Sequence, residues 1–280
     1  MNYDLIISIV SFYSLKESIN ISRLIKEQLN GFFSFKILLV ENGRKETNNK
    51  NSLIEEDISK INIYYSQNNV GYAAGHNWNI SNYFEELKDD GFFLILNNDI
   101  EIDKIKLVEF IRQIKLNKLE AVSPTQLIKG IQSFPNKTLL YKNNYYDDSK
   151  RIIFADRLDG AFMFLSKNLI KRVGLLPEYY FLYFEELDYS YKIIAKNIRI
   201  AYLLDFKYKH FGTNINSVTR SYYMGRNQFI FSKFNFKNLS LIYLLKSMPK
   251  TIINFLIFNR YRLSFLKGFV KGLKFFLTNK

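Results

Sequence analysis

Four short apolar runs occur before residue 100, and each ends in a polar turn or a cluster of Gly, Asn or acidic residues. Segments with helical spacing lie between them. Strands that alternate with helices predict a mostly parallel sheet with crossover connections. The polar turns then meet at the C-terminal edge of the sheet, where open α/β folds bind ligands. The predicted strands cover residues 4–10, 35–40, 61–65 and 92–96, and the predicted helices cover 15–29, 53–59, a stretch toward 87, and 105–116.

The fourth run ends most abruptly, because Leu96 leads directly into Asn97, Asn98 and Asp99. A strand that stops there delivers a carboxylate to the sheet edge. An unpaired buried charge is costly, so such a carboxylate needs a partner or a metal ion. The alternative is a simple polar turn, since Asn and Asp favour turns.

A second acidic cluster lies in the middle of the chain. Residues 126–151 are polar and predict a loop or a short hairpin, and residues 159–165 predict a further strand. Glu185, Glu186 and Asp188 then open a predicted helix. The helix dipole also stabilises acidic residues in a first helical turn, so capping is the alternative explanation for this cluster.

Composition limits the class of protein. Hydrophobic residues make up 48% and aromatic residues 17% of the 280 residues, which is enough for a packed core and excludes general disorder. Cysteine is absent, so disulfides and thiolate metal sites are excluded, and this suits a reducing cytoplasm. The first residues lack the features of a signal peptide. We therefore expect a cytoplasmic protein with one large domain and an appendage, or two small domains.

Positive charge is concentrated toward the C-terminal end. Residues 206–280 contain 14 Lys and Arg and no Asp or Glu, while the remaining 26 of the 40 basic residues balance all 26 acidic ones. This asymmetry favours an anionic partner for the tail. No uncharged apolar stretch in the tail reaches the ~18 residues that a membrane span needs.

Residues 263–277 predict a basic amphipathic helix, with Lys267, Lys271 and Lys274 at helical spacing among Phe, Leu and Val. A helix that lies in an anionic membrane surface is the favoured interpretation. The alternative is a helix packed on the domain with a solvated basic face. We expect no nucleic acid partner, because the aromatic residues lie among aliphatic ones and not on a polar basic platform.

Seven segments, in this order, resemble the family 2 glycosyltransferases of the GT-A fold, and most closely their bacterial rhamnosyltransferase-like branch. The segments span about residues 4–215. The resemblance implies a Rossmann-like α/β catalytic domain at residues 1–215 and a basic, aromatic-rich helical tail at residues 216–280. The matching segments are SIVSFYS (8–14), LLVENGR (38–44), NNVGYAAGHN (68–77), LILNNDIEID (94–103), LDGAFMFLSK (158–167), YFLYFEELDYSYK (180–192) and KHFG (209–212).

The resemblance implies a divalent cation, Mg²⁺ or Mn²⁺, held by Asp99 and His210. Asp99 matches the last acidic residue of the family's DXD-type motif, which holds the metal on the diphosphate of the donor. Here Asn97 replaces the first acid of that motif, which leaves one carboxylate where two are expected. Oxygen ligands suit these hard cations, and histidine suits Mn²⁺.

Further positions match family segments that bind the nucleotide sugar. Glu41 matches an acidic residue that contacts the base or ribose, and residues 69–77 match the segment that closes over the nucleotide. Arg226 lies in another family-like segment and is a candidate for the diphosphate, with a surface arginine as the alternative. The implied donor-binding residues are Ser11, Tyr13, Glu41, Asn69, Gly71, Gly75, Asn77, Asn97, Asn98, Gly160 and Arg226.

The resemblance implies that Glu186 is the catalytic base, with Glu185 and Asp188 as alternatives. Glu185 and Glu186 occupy the family's Glu-Asp pair, whose second residue is the base. Glu in place of Asp adds one methylene. A positioned general base typically contributes ~10²–10⁴-fold to the rate.

The implied activity is inverting, metal-dependent transfer of a sugar, with rhamnose as a candidate, from a nucleoside diphosphate sugar of the dTDP or UDP type. The implied acceptor is lipid-linked or a nascent surface polysaccharide, at the inner face of the plasma membrane. Two alternatives stay open. One is a non-catalytic GT-A-like module that binds membrane or polyanion through its tail. The other is a nucleotidyltransferase, which ranks last because the first strand lacks a Gly-rich phosphate loop.

Overall fold

The structure is a computed structural model that describes residues 2–43, 61–102, 106–128, 130–133, 145–147, 151–211, 218–236 and 261–278. In these ranges eleven strands form a mixed sheet with helices on both faces. The strands are β1 Tyr3–Phe12, β2 Phe35–Asn42, β3 Ile61–Ser66, β4 Leu87–Leu96, β5 Ile100–Glu101, β6 Ala121–Ile128, β7 Ile131–Ser133, β8 Tyr145–Asp147, β9 Ile152–Ala155, β10 Phe162–Ser166 and β11 Ile200–His210. The helices are α1 Leu15–Leu29, α2 Tyr72–Tyr83, α3 Leu107–Leu116, α4 Lys167–Val173, α5 Glu185–Ala195, α6 Val218–Phe236 and α7 Arg262–Thr278, with 3-10 turns at Phe84–Glu86 and Glu178–Tyr180.

The N-terminal half of the sheet is parallel, as the alternating pattern predicts. β1 pairs with β2 and β4, and β2 pairs with β3, all in parallel. The helix predicted toward residue 87 begins at Tyr72 and gives way to β4 at Leu87. The helix predicted at 53–59 lies outside the described residues.

Two apolar cores lie on the two faces of this sheet. Successive residues of β1 alternate between them, with Leu5 and Ile7 on the α1 and α3 side and Ile6 on the α2, α4 and α5 side. Helices therefore cover both faces, which explains why β1 and β4 are continuous apolar runs and not alternating ones.

A mixed set of strands extends the sheet beyond β4, with β6 and β11 parallel and the other pairs antiparallel. The order is β3-β2-β1-β4-β10-β6-β11-β9-β8, with β7 beside β6 and β5 beside β11. The strand predicted at 159–165 is β10, and it runs antiparallel to β4 with Phe162 opposite Leu96. Its first residues therefore lie at the C-terminal edge of β4. β11 pairs with β5, which places His210 opposite Ile100 at the same edge.

Several elements after β4 have no counterpart in the sequence predictions, namely β5, β6, β9, β11 and α4, whereas α6 lies in the predicted helical tail. Pro124 lies in β6, and proline normally argues against a central strand. The register of β6 against β11 is irregular just after the pair of Pro124 with Leu203. In the predicted loop or hairpin at 126–151, the described residues include the short antiparallel pair β6–β7, with Gly130 at φ +78° between the strands.

The helix predicted at 263–277 is present as α7, and it packs on α6 with the two backbones in contact. A Cβ at Gly268 would collide with the carbonyl oxygen of Tyr222, and one at Gly272 would lie 2.5 Å from the carbonyl oxygen of Arg226. Gly225 of α6 is under the same constraint from α7. Glycine at these positions allows the close packing. None of the described helices is both long enough and apolar enough to cross a bilayer.

Candidate active site

Asp99 and His210 form a pair at the C-terminal edge of the sheet. His210 Nε2 lies 3.0 Å from Asp99 Oδ1, and each side chain is 24% exposed. The backbone N–H of Phe211 donates to the carbonyl oxygen of Asp99 at 2.9 Å, which fixes the two chain segments together. Burial alone would lower the pKa of His210, but the hydrogen bond and charge of Asp99, with the charge of Asp159, raise it.

The spacing of these two side chains suits two adjacent ligands of a divalent cation, but the pair does not complete a ligand set. Adjacent ligand atoms of an octahedral ion with bonds of about 2.1 Å lie about 3.0 Å apart. The distance from Asp99 Oδ1 to His210 Nε2 is 3.0 Å, and the amide nitrogen of Asn97 lies 3.4 Å from the same Nε2. Within the described ranges, no group of three or more His, Cys, Asp or Glu could hold a metal. A cation held by this pair would therefore need further ligands, such as phosphate oxygens or water.

Asn98 and Ser11 hold the turn between β1 and α1. Asn98 Nδ2 donates to Ser14 Oγ at 2.7 Å and to Ser18 Oγ at 2.8 Å. Ser11 is buried, and its Oγ lies 3.1 Å from Ser14 Oγ. These contacts give both residues a positioning role, and their direct contact with a donor stays a prediction.

Gly160 and Glu186 lie against each other at the start of β10. A Cβ at Gly160 would lie 3.4 Å from both Cβ and Cγ of Glu186, so a larger residue would press on the predicted base. The hydroxyl of Tyr72 donates to the carbonyl oxygen of Gly160. The first residue of α2 thus supports the turn on which Glu186 rests.

Asp159 acts on both His210 and Glu186. It accepts a hydrogen bond from the Tyr208 hydroxyl at 2.5 Å and one from the Ala161 backbone N–H at 3.1 Å. Its charge raises the pKa of His210 and contributes to raising that of Glu186. The charge of Asp159 therefore acts on both the Asp99–His210 pair and the acidic start of α5.

Burial raises the pKa of both glutamates at the start of α5. For Glu186, nearby Arg157 partly offsets the effect of burial. The pKa of Glu185 is raised well above its usual range by burial and then by the charge of Glu186. Glu185 is 2% exposed, and no hydrogen-bond partner of its Oε1 lies in the described part of the chain. A carboxylate with a raised pKa is a better proton acceptor near neutral pH, which suits a general base.

Four residues around Gly160, Glu186 and His210 are absent from the sequence predictions: Tyr72, Arg157, Asp159 and Tyr208. A signal for two of them existed. Asp159 directly precedes Gly160 in the segment at 158–167, and Tyr72 lies inside the segment at 68–77. Arg157 and Tyr208 become recognisable only when β10 and β11 are placed in the sheet.

A second group lies at the ends of β1 and β2. Glu41 is fully buried, opposite Ser11 in the parallel register. Phe12 and Tyr13 beside it are 53% and 57% exposed, and the Tyr13 hydroxyl donates to the carbonyl oxygen of Gly43 at 2.8 Å. The exposed rings of Phe12 and Tyr13 are a suitable surface for a nucleoside, and direct contact of the buried Glu41 with it stays a prediction.

Asn69 and Gly71 shape the turn before α2. Asn69 Oδ1 accepts from the Gly71 backbone N–H at 3.0 Å. Gly71 has φ +87°, and a Cβ there would collide with the carbonyl oxygen of Phe181. Glycine is therefore required for both its conformation and its close approach to the segment before α5.

Gly75 and Asn77, also predicted to contact the nucleotide, are used inside the protein. A Cβ at Gly75 would lie 2.7 Å from Val10 Cγ2, so this glycine lets α2 pack on β1. Asn77 is 3% exposed, donates to the carbonyl oxygen of Leu176 at 2.8 Å and accepts from the Leu176 N–H at 3.0 Å. Both residues therefore contribute to packing, and their contact with the donor stays a prediction.

Asp188 and Arg226 likewise have partners within the protein. Asp188 is fully buried and accepts hydrogen bonds from the hydroxyls of Tyr179 and Tyr180 at 2.6 and 2.7 Å. Arg226 donates to the carbonyl oxygens of the same two tyrosines. These bonds give both side chains partners within the protein, and their roles as alternative base and as diphosphate ligand stay predictions.

Two curated proteins are similar in sequence. The chain is 27% identical over 164 residues to the low-salt glycan biosynthesis hexosyltransferase Agl10 of Haloferax volcanii, which covers 55% of this chain and 53% of that protein. It is 26% identical over 196 residues to the rhamnosyltransferase WbbL of Escherichia coli K12, which covers 60% of this chain and 72% of that protein. Both relatives are glycosyltransferases, as the resemblance predicts. No family model matches the sequence.

Two solved structures share the architecture. TarS of S. aureus aligns with a TM-score of 0.52 over 98% of this chain and 44% of that one, at 15% identity. GalNAc-T7 with UDP, GalNAc and Mn²⁺ aligns with a TM-score of 0.51 over 75% of this chain and 44% of that one, at 11% identity. The chain has the GT-A fold. It spans about half the length of Agl10 and less than half of either solved chain.

Proposed function

We propose that this GT-A protein is an inverting, metal-dependent glycosyltransferase that takes a sugar from a nucleoside diphosphate donor. The observation that carries the proposal is that the charge of Asp159 acts on both His210, which lies 3.0 Å from the Asp99 carboxylate, and Glu186, a half-buried carboxylate of raised pKa. The names of the two curated relatives favour a hexose or rhamnose as the sugar.

Asp99 and His210 would hold Mg²⁺ or Mn²⁺, with the diphosphate of the donor completing the ligand set. The cation, when bound, neutralises the charge of the leaving diphosphate as a Lewis acid. The GT-A structure of GalNAc-T7 contains Mn²⁺, which is in keeping with this use of the fold. Asp99 and His210 keep the cation at the sheet edge, and Asn97 lies against the imidazole.

Glu186 would act as the general base. Its carboxylate removes the proton of an acceptor hydroxyl, whose oxygen forms a bond to the anomeric carbon. The bond from that carbon to the diphosphate oxygen breaks, and its electron pair leaves with the nucleoside diphosphate, so the configuration inverts. Gly160 leaves room beside Glu186, and Asp159 keeps the local charge negative, which favours proton uptake.

The nucleoside end of a dTDP or UDP donor would lie over β1 and β2. Exposed Phe12 and Tyr13 offer ring faces at the ends of these strands. The acceptor in this proposal is lipid-linked or a nascent polysaccharide, which suits a cytoplasmic enzyme at the inner face of the plasma membrane.

The tail would bring the enzyme to that surface. Helix α7 presents an exposed apolar stripe on the side away from α6, and an exposed lysine stripe runs beside it. Apolar residues next to basic ones fit the interface of an anionic membrane. The apolar stripe consists of Leu263, Leu266, Val270, Leu273 and Leu277, and the basic stripe of Lys267, Lys271 and Lys274.

A donor panel tests the proposal. Purified protein is incubated with nucleoside diphosphate sugars, with and without Mn²⁺, and both thermal stabilisation and transfer to lipid-linked acceptors are measured. We expect one donor to raise the melting temperature in proportion to its concentration over its dissociation constant, and Asp99→Ala to abolish the metal-dependent part. Binding and transfer absent with every donor would favour the non-catalytic module instead.

A further inference from the structure

Residues 179–184, which we name the approach segment, lead directly into α5 and have an unusual backbone. The φ angle is +71° at Phe181, +66° at Tyr183 and +79° at Phe184. Bulky residues rarely adopt this left-handed conformation, and each instance costs on the order of 1–3 kcal/mol. Three of them within four residues persist only if neighbouring elements hold the segment in place.

Helix α6 provides most of the hydrogen bonds that hold the segment. Asn227 Nδ2 donates to the carbonyl oxygens of Leu182 and Tyr183, both at 2.9 Å. Arg226 donates to the carbonyl oxygens of the first two residues of the approach segment at 3.2 and 3.1 Å. Arg226 Nη1 also donates to Asn227 Oδ1 at 2.9 Å, so the two side chains form one clamp.

The one remaining carbonyl between residues 179 and 183 is bound from the other side. The backbone N–H of Tyr72 donates to the Phe181 oxygen at 3.0 Å, where Gly71 permits the close approach. All five carbonyls from 179 to 183 therefore accept from outside the approach segment. Asn227 is fully buried and supplies two of these five bonds, and Arg226 supplies two more.

We propose that Asn227, together with Arg226, is a positioning residue for Glu186. It acts through the approach segment, whose last left-handed residue, Phe184, lies two positions before Glu186. The inference makes α6 part of the catalytic unit and not of a separable tail, and its catalytic half rests on the proposed function. A displacement of the base by about 1 Å can reduce the rate by roughly 100-fold.

Kinetics of two variants test the catalytic half. Asn227→Asp keeps the shape but removes the two donated bonds, and Arg226→Lys keeps the charge but loses the fork. We expect kcat to fall by about 10- to 100-fold while the donor KM stays within about threefold, because a displaced base affects chemistry and not donor binding. Gln228→Ala is the matched control, since Gln228 is a buried amide that donates to the Gly225 carbonyl of its own helix and, among the described residues, makes no bond to the approach segment.

Hydrogen exchange tests the structural half without any donor. Peptides that cover residues 179–188 should exchange faster in Asn227→Asp and in Arg226→Lys than in the wild type, while Gln228→Ala leaves them protected. Unchanged exchange in both variants overturns the inference, whether or not the wild type is active. Faster exchange with unchanged kcat overturns the positioning role. A wild type inactive with every donor refutes the proposed function alone, and the exchange result still decides the clamp.

Discussion

The replacement of Glu186 by glutamine separates a catalytic base from a helix cap. Glutamine has nearly the same shape, so it fits the space beside Gly160, where Cβ and Cγ of Glu186 lie 3.4 Å from the position a Cβ would take. It keeps the helix intact but cannot accept a proton. A base role and a capping role therefore predict different outcomes for one substitution.

The expected magnitude follows from the site. Loss of a positioned general base reduces the rate by about 10²–10⁴-fold, which corresponds to about 2.7–5.4 kcal/mol in the activation barrier. Loss of a capping charge changes stability by only about 0.3–1 kcal/mol and leaves the barrier untouched. Glu186 is half-buried beside Asp159, and its raised pKa makes it a competent acceptor, so we expect the larger effect.

The assay is kcat at saturating donor and acceptor, with donor affinity measured in parallel. For the wild type, kcat should fall as the pH drops through the raised pKa of Glu186, because only the ionised carboxylate accepts the proton. Glu186→Gln should lose this acid limb together with most of its activity. Glu185→Gln serves as the neighbouring comparison, since the pKa of Glu185 is raised well above its usual range and a neutral acid resembles glutamine.

Two results would refute the reasoning. Activity of Glu186→Gln within a few-fold of the wild type would leave Glu186 as a structural residue. A larger loss in Glu185→Gln than in Glu186→Gln would transfer the base to the buried neighbour.

Three further predictions concern stability, metal and membrane. The folded protein holds the proton of Glu185 more tightly than the unfolded chain does. The stability that this adds is fully present below the ordinary glutamate pKa and is lost as the pH rises through the raised pKa. Glu185→Gln should remove the contribution of Glu185 to this decline in melting temperature. Mn²⁺ should bind at least about tenfold more tightly when UDP or dTDP is present, and the nucleotide more tightly with Mn²⁺, measured by calorimetry. Leu266→Glu combined with Val270→Glu should reduce flotation with anionic liposomes, because both side chains lie in the exposed stripe of α7.

Each of these has its own control. Glu120→Gln alters a carboxylate paired with Arg172 at the surface and should leave the pH dependence of stability as in the wild type. Asp99→Ala should abolish the cooperation between metal and nucleotide, and its persistence would place the cation elsewhere. Leu116→Glu changes a still more exposed leucine on α3 and should float like the wild type. Equal loss in both variants would remove α7 from the membrane contact.

The parallel half of the sheet is readable from the sequence because local signals agree. Continuous apolar runs, helical spacing between them and polar turns at their ends are properties of a few neighbouring residues. These signals are sufficient to place Glu41 and Asp99 at one edge of the sheet. The resemblance to glycosyltransferases adds Glu186 and His210, whose own surroundings carry no comparable pattern.

The mixed part of the sheet beyond β4 cannot be predicted in this way, since its strand pairings join residues far apart in the chain. Asp159 lies beside Glu186 only because β10 runs antiparallel to β4, and Tyr208 reaches Asp159 only through β11. For the same reason the sequence cannot show the internal bonds of Asn77, Asp188 and Arg226, which are predicted for the ligand site. Their partners are carbonyls and hydroxyls of other segments.

The sequence by itself thus determines the α/β framework and the acidic edge, because periodicity and turn chemistry act over short distances. The tertiary structure alone decides which polar side chains are still available to a ligand. Buried donors and acceptors must be satisfied, and only the folded chain shows that the amide of Asn227 is committed to the approach segment. The four hydrogen bonds that Arg226 and Asn227 donate to this segment end on carbonyl oxygens and not on the carboxylate of Glu186.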